Sequence, residues 1–240
     1  MKAINFFLVL LILSASAYAA EVKLAVGLAL PPYIIQEKNA GMELDVVTQA
    51  LADAGHTVKP IYVPMARVPV AMADGSVDAA TTINEASGIK AAFSDNHITY
   101  QNFAISLSKN AFKADTVEDL GKYSIAAFQN ATMYLGEKYK AMATANKRYN
   151  ELADQAKQNK MLYTGRADFV VGDRNIFNYY NADVKKEGVD TSQAVTYHEL
   201  FPPTQYKVAF RDPAIRDAFN VALKKMRADG RYDAIMKKYQ

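Results

Sequence analysis

The sequence of 240 residues contains no cysteine, only three histidines and almost no excess charge. Without cysteine, the chain can form neither a disulfide framework nor a thiolate metal site. His56, His97 and His198 are far apart and lack metal-ligand spacing, so we expect no metal and no cofactor. A net charge of +3, from 28 basic and 25 acidic residues, gives no electrostatic case for binding nucleic acid or a membrane surface.

The chain also lacks an apolar run long enough to span a bilayer, which needs about 20 residues. Its beginning instead combines Lys2, an apolar stretch over residues 4–13 and the small-residue segment Ala17-Tyr18-Ala19. This pattern is typical of a secretory signal peptide with an A-x-A cleavage site, and a membrane anchor is the alternative. We therefore expect residues 1–19 to be removed near Ala19 or Ala20 and the protein to reach the periplasm.

Strand-like and helix-like patterns alternate along the rest of the chain. Three strands separated by two helices are predicted first, at residues 22–26, 41–55, 57–63, 67–73 and 77–83. Pro60 predicts an edge position for the second strand, because proline cannot donate a hydrogen bond to a sheet. This β-α-β-α-β order implies parallel strands with helices on the sheet faces.

A second set of elements follows after residue 100. Strands are predicted at 103–107, 124–128, 167–171 and 205–210. Helical segments are predicted at 116–120, from about 132, at 149–163 and from Asp212, the cap of the last helix, to Gly230. No repeat, low-complexity tract or Gly/Ser linker occurs, so two lobes would be joined by strands rather than by a flexible tether.

Six short motifs occur in order along nearly the whole mature sequence. They are 29-ALPPY-33, 41-GMELD-45, 75-GSVDA-79, Phe93-Ser94, 165-GRADFVVGD-173 and 230-GRYDAIMKKY-239. Together they resemble the bacterial extracellular solute-binding proteins of family 3, the amino-acid type of periplasmic binding protein of ABC transporters.

The resemblance first implies a fold. The expected fold is α/β, a two-lobed type II periplasmic-binding-protein fold with parallel-rich sheets flanked by helices and a hinge of two strands. Lobe one would comprise residues 20–100 and 207–240, and lobe two residues 101–206. In parallel α/β sheets, ligands bind beyond the carboxyl ends of the strands, which favours a site in the cleft between the lobes.

One part of amino-acid recognition in this family is missing here. Its typical members grip the ligand's α-carboxylate with an arginine, whose planar fork matches a carboxylate bidentately. The corresponding position is Ala86, and the nearby Lys90 is expected on the solvent side. The resemblance places Asp173 where the family binds the ligand's ammonium group, and the alternative is a helix-capping aspartate before Ile176. We therefore expect a small polar ligand with an amine.

Two features are candidates for replacing the missing arginine. Arg67 is expected at the start of a helix that faces the cleft, with an ordinary surface arginine as the alternative. Asn130 and Thr132 lie at a predicted helix start, where free backbone N–H groups favour an anion and the Asn130 amide would also suit a neutral polar group.

The remaining candidate ligand contacts come from two other loops. Tyr33 is the predicted stacking platform for the ligand, with Leu30 as an apolar wall. Thr81, Thr82 and Asn84 follow a predicted strand and are either hydrogen-bonding ligand contacts or turn residues.

These features are compatible with three functions. The first is capture of an amino-acid-like ligand, by a monomer, for a membrane ABC permease. The alternative is a periplasmic sensor that passes its occupancy to a membrane receptor. A dehydratase-like enzyme is less favoured, because the cleft offers Glu85, Asp173 and Arg67 at most for a general acid and for cations. No Ser-His-Asp or Cys-His constellation and no glycine-rich phosphate loop is evident, so we expect no enzymatic activity.

Overall fold

A computed structural model gives the fold of residues 19–28 and 30–239. The predicted signal peptide lies outside these described residues except for Ala19, and Ala29 of the first motif also lies outside them. No helix in this part of the chain is both long enough and apolar enough to cross a membrane.

Strands and helices alternate along most of the described chain. The strands are β1 (Glu21–Gly27), β2 (Thr57–Val63), β3 (Ala79–Ile83), β4 (Ala92–Phe93), β5 (Ile98–Tyr100), β6 (Asn102–Leu107), β7 (Ile125–Phe128), β8 (Tyr149–Leu152), β9 (Phe169–Asp173), β10 (Val195–His198) and β11 (Thr204–Phe210). The helices are α1 (Met42–Asp53), α2 (Val68–Asp74), α3 (Ala131–Tyr134), α4 (Glu137–Ala145), α5 (Gln155–Tyr163), α6 (Arg174–Lys186), α7 (Pro213–Ala228) and α8 (Arg231–Lys237).

Sheet one has the strand order β2-β1-β3-β11-β4, with β5 pairing to β11. β1 is parallel to both β2 and β3, and α1 and α2 make the connections that the β-α-β-α-β order predicts. β2 is an edge strand, which accommodates Pro60 within it. β11 runs antiparallel to β3, so the C-terminal part of the chain returns to complete this sheet.

Sheet two has the strand order β10-β6-β9-β7-β8. β7 is parallel to β8 and β9, whereas β6 is antiparallel to β9 and β10. The chain crosses from sheet one to sheet two between Tyr100 and Asn102 and returns between His198 and Thr204. The lobe boundaries at 100/101 and 206/207 stay predictions, and β11 begins at Thr204, within sheet one.

Each sheet has an apolar core, and a further apolar cluster joins the two sheets. On sheet one, α1 and α7 pack together against β1 and β11, because both helices carry an apolar face at helical spacing. Sheet two is covered on both faces. The joining cluster contains Tyr33, Met42, Ile98, Tyr100 and Ile176, and Ile176 is its contribution from α6. The mixed α/β fold with parallel-rich sheets is therefore as expected.

The predicted helix at 149–163 is wrong in its first part. Tyr149–Leu152 forms β8, which pairs in parallel with β7, because Tyr149 and Leu152 pack against the cores on opposite faces of sheet two. The helix begins only after Asp154, whose carboxylate accepts a hydrogen bond from the Lys157 N–H at 3.0 Å. The sequence patterns do not predict strands β4, β5 and β10 or helix α8, and they indicate α6 only through the alternative interpretation of Asp173 as a helix cap.

Candidate functional site

The predicted site residues come from several loops at the ends of the strands. They are Tyr33, Arg67, Thr81, Thr82, Asn84, Asn130, Thr132 and Asp173. Among these eight residues, Tyr33 and Asp173 are the one pair that is hydrogen-bonded across the boundary between the two sheets. Thr81 and Thr82 surround an internal carboxylate instead, and Thr132 and Asn130 share another.

Asp173 lies at the end of β9 and caps α6. Its carboxylate accepts hydrogen bonds from the backbone N–H groups of Asn175 at 2.8 Å, Ile176 at 3.1 Å and Gln101 at 2.9 Å. Burial raises the pKa of Asp173, although these hydrogen bonds work against the rise. Within the described residues, no lysine, arginine or histidine side chain pairs with it. Asp173 is thus a helix cap, as the alternative held, and its role as an ammonium contact stays a prediction.

Tyr33 reaches Asp173 from the loop after β1. Its hydroxyl lies 3.2 and 3.1 Å from the two carboxylate oxygens of Asp173 and accepts a hydrogen bond from the Asn175 side-chain amide at 2.9 Å. Burial first, and the charge of Asp173 second, raise the pKa of Tyr33 well above its usual value, so the hydroxyl stays a donor.

The ring of Tyr33 is fully buried and stacks on the ring of Tyr100, with centroids 3.7 Å apart and planes inclined by 17°. Tyr206, which belongs to sheet one like Tyr100, packs edge-on against the Tyr100 ring, with centroids 5.0 Å apart. The described contacts therefore fill the aromatic face on which a ligand was expected to stack. Tyr33 as a ligand contact stays a prediction, and it requires the two sheets to separate.

The hydroxyls of Thr81 and Thr82 bind Glu43, a fully buried carboxylate in the first turn of α1. The Thr82 hydroxyl donates to both oxygens of Glu43, at 2.9 and 3.0 Å, and the Thr81 hydroxyl also donates to it. The Tyr100 hydroxyl donates at 2.8 Å, and His97 Nε2 lies 2.9 Å from the same carboxylate.

This cluster keeps Glu43 ionised. Burial alone would raise the pKa of Glu43, but the hydrogen bond and charge of His97, together with the Thr81 and Tyr100 hydroxyls, outweigh it and lower the pKa. A buried carboxylate without such donors would cost several kcal/mol. Thr81 and Thr82 are therefore engaged inside sheet one, and their contact with a ligand stays a prediction.

Asn130 and Thr132 share one partner, Glu151, which projects from β8. Glu151 accepts hydrogen bonds from the Asn130 N–H at 2.7 Å, the Thr132 N–H at 2.9 Å and the Thr132 hydroxyl at 2.8 Å. The Tyr149 hydroxyl donates to the same carboxylate at 2.9 Å. The N–H groups that were expected to favour an anion at this point already hold one from the protein itself.

The last two predicted residues lie in loops of sheet one. Asn84 accepts a hydrogen bond from the Ala86 N–H at 3.1 Å, as a turn residue does. Arg67 is exposed, and it forms no ion pair within the described residues. The role of Arg67 as a substitute for the missing arginine stays a prediction.

The similarity to known proteins extends over almost all of the chain. Residues 22–240 match the bacterial extracellular solute-binding proteins, family 3. The chain belongs to this family. The resemblance carried by the six motifs is thereby confirmed, and this solute-binding protein shares its fold with proteins of several functions.

Three solved structures show that range. A histidine kinase sensor domain similar to periplasmic binding proteins is 19% identical, with a TM-score of 0.68, covering 91% of this chain and 95% of that one. An ancestral amino-acid-binding protein, a precursor of cyclohexadienyl dehydratase, is 22% identical, with a TM-score of 0.67 and coverages of 91% and 94%. A ligand-binding core from Nostoc punctiforme in complex with L-glutamate is 19% identical, with a TM-score of 0.66 and coverages of 91% and 98%. No match was found among curated protein sequences.

Sequence reasoning missed Glu43, Tyr100 and Glu151 in this solute-binding protein. Glu43 lies on the same face of α1 as Val47 and Ala50, at helical spacing, and a charged residue on a core face signals a buried, hydrogen-bonded group. Tyr100 and Glu151 carry no comparable signal, because Glu43 is 57 residues from Tyr100 and the backbone donors to Glu151 are 19 and 21 residues away. Among the described residues, no group of three or more potential metal ligands occurs.

Proposed function

We propose that this chain is a periplasmic solute-binding protein that captures a small polar ligand with an amine between its two lobes and delivers it to a membrane ABC permease. The observation that carries the proposal is Asp173. It is a buried carboxylate at the boundary between the sheets, and within the described residues it meets only backbone N–H groups and the neutral hydroxyl of Tyr33.

An ammonium group would be a stronger partner for Asp173 than Tyr33 is. Hydrogen bonds from a hydroxyl to a carboxylate are usually about 2.5–2.7 Å long, whereas the Tyr33 hydroxyl lies 3.1 and 3.2 Å from Asp173. The ammonium carries a full positive charge and three donors, so it would compensate the buried carboxylate that the phenol leaves uncompensated. The Tyr33 hydroxyl would then give up its hydrogen bonds to Asp173, and the Tyr33 ring would pack against the ligand.

Ligand entry would need the sheets to part, and the chain connectivity suits such a motion. Only Gln101 separates β5 from β6, and a short segment separates β10 from β11. Two such crossings near one another form the kind of hinge about which periplasmic binding proteins close on their ligands.

A sensory role is the second candidate. It is favoured by the similarity to a histidine kinase sensor domain, together with Ala86 in place of the carboxylate-binding arginine. We propose binding without catalysis, by a monomer, in either case. Co-purification from membranes would distinguish the partners, because a permease subunit supports transport and a histidine kinase supports sensing.

Thermal-shift and calorimetric titrations test ligand binding directly. The purified protein is screened against amino acids, amines, polyamines, small peptides and dicarboxylates. A ligand at a hundred times its dissociation constant stabilises the folded state by about 2.7 kcal/mol, which appears as a raised Tm. We expect an amine-containing compound to give this shift.

Asp173→Asn identifies the contact, since asparagine still caps α6 but carries no charge. We expect binding to weaken roughly 10- to 150-fold, the equivalent of a lost charge-assisted hydrogen bond. Asp212→Asn is the matched control, because it makes the same change at the cap of α7, beyond the end of β11 that pairs with the start of β3. Unchanged binding in Asp173→Asn, or no response to any compound, would overturn the proposal.

A further inference from the structure

Glu151 and the loop it binds, residues 130–132, lie at the same edge of sheet two as Asp173. β7 lies between β8, which carries Glu151, and β9, which ends in Asp173. Both strands run parallel to β7, so their carboxyl ends lie on either side of the loop that leads from β7 into α3. Both carboxylates therefore flank the loop between β7 and α3.

The donors of this loop are already satisfied. The N–H groups of Asn130 and Thr132 and the Thr132 hydroxyl all converge on Glu151, at 2.7–2.9 Å. Partial burial works against ionisation, but the hydrogen bonds from Thr132 and Tyr149 outweigh it and lower the pKa of Glu151. At neutral pH, the carboxylate of Glu151 thus holds the place that an anionic ligand group would need.

Lys207 and Arg174 are engaged elsewhere among the described residues, whereas Lys90 and Arg67 are exposed. Lys207 forms an ion pair with Glu85 at 2.5 Å, and Lys90 is exposed. The Arg174 guanidinium stacks over two aromatic rings of sheet two, at 4.4 Å from each centroid. A carboxylate on the ligand would therefore meet no free donor among the Asn130 and Thr132 groups of the loop.

We propose that Glu151 makes this site selective for amines that carry no carboxylate beside the ammonium group. The inference rests on the proposed function and narrows its ligand class from amino-acid-like compounds to amines. The physical reason is exclusion: a ligand carboxylate would have to displace Glu151 from its donors or lie next to its charge unpaired. The ammonium group would still bind Asp173.

Matched pairs of compounds test this selectivity. Cadaverine and lysine, agmatine and arginine, and ethanolamine and serine share a carbon skeleton and differ by one carboxylate. Isothermal titration gives the dissociation constant for each. For at least one pair, we expect the wild-type protein to bind the amine about tenfold or more tightly than the amino acid.

Variants of Glu151 then assign the selectivity. Glu151→Ala frees the donors, so we expect the preference for the amine to shrink about tenfold or reverse. Glu151→Gln keeps a hydrogen-bond acceptor without the charge, which preserves the fold if the alanine variant is unstable, and we expect an intermediate preference. Glu137→Ala is the control, because Glu137 is an exposed carboxylate of α4 outside this loop.

The outcomes separate the two proposals. If the wild-type protein binds amino acids as tightly as their amine counterparts, or if both Glu151 variants keep the wild-type preference, the selectivity inference fails and the proposed function stands. If the wild-type protein binds no member of any pair and no other amine, the proposed function fails and the inference fails with it.

Discussion

The hydrogen bond from Tyr100 to Glu43 offers a sharp test of the buried cluster. Tyr100→Phe removes one hydroxyl, 2.8 Å from the carboxylate, and leaves the ring that stacks on Tyr33. A hydrogen bond to a charged group contributes about 1.5–3 kcal/mol, and both Tyr100 and Glu43 are buried. We therefore expect the free energy of unfolding at pH 7 to fall by this amount.

Urea unfolding followed by circular dichroism measures the loss. With a slope of about 3 kcal/mol per M, the midpoint should fall by roughly 0.5–1 M. Tyr206→Phe is the control, because Tyr206 packs edge-on against the same ring and its hydroxyl makes no hydrogen bond to the described residues. Its midpoint should stay within about 0.2 M of the wild type.

The pH dependence adds a second criterion. The folded-state pKa of Glu43 is lowered, so the stability from its ionised form is fully present above the ordinary value of 4.5 and is lost as pH falls through the folded pKa. The hydroxyl of Tyr100 stabilises the ionised form, so the deficit of Tyr100→Phe should be largest at neutral pH and should shrink below pH 4.5. A deficit equal to that of Tyr206→Phe, or one unchanged in acid, would refute the account of this cluster.

Further expectations concern the sheet boundary and the backbone. Tyr33→Phe should lower the free energy of unfolding by about 1–2 kcal/mol, since its bonds to Asp173 are long; an unchanged urea midpoint would contradict that contact. Gly41→Ala should cost about 3 kcal/mol or more, because φ is 135° and a Cβ would overlap the Tyr33 carbonyl oxygen. Gly88→Ala has open space at a φ of 71° and should cost about 1 kcal/mol, and equal Tm losses would argue against the overlap. Asp154→Ala should cost about 1 kcal/mol through the lost cap of α5, whereas a loss in Asp154→Asn would point to another cause.

Local patterns predicted much of the fold. Pro60 placed β2 at a sheet edge, and the cap at Asp212 with the apolar face of α7 located the last helix. The error at Tyr149 arose because a short polar strand has no strong periodicity, and its pairing with β7 is a long-range contact. Propensity could not reveal that contact.

The site was less predictable than the fold. Position in the motifs pointed to Tyr33 and Asp173, and these two residues do meet. Thr81 and Thr82 lie near the end of β3, as predicted, but their hydroxyls donate to Glu43 of α1. This partner could not be predicted, because it depends on how α1 packs against β3, and the two elements are distant in sequence. The anion-favouring loop at Asn130 was identified from its backbone chemistry, whereas its occupant, Glu151, required the strand pairing to be known.

The position of β11 has a consequence for the order of folding. β11 lies between β3 and β4, so the middle of sheet one stays open until residues 204–210 are available. Sheet two is formed from one continuous stretch, which is complete at His198. Because local contacts form faster than distant ones, sheet two should assemble first and sheet one should close last. In a chain that emerges from a ribosome or a translocation channel, sheet one would therefore stay incomplete until about the last forty residues had emerged.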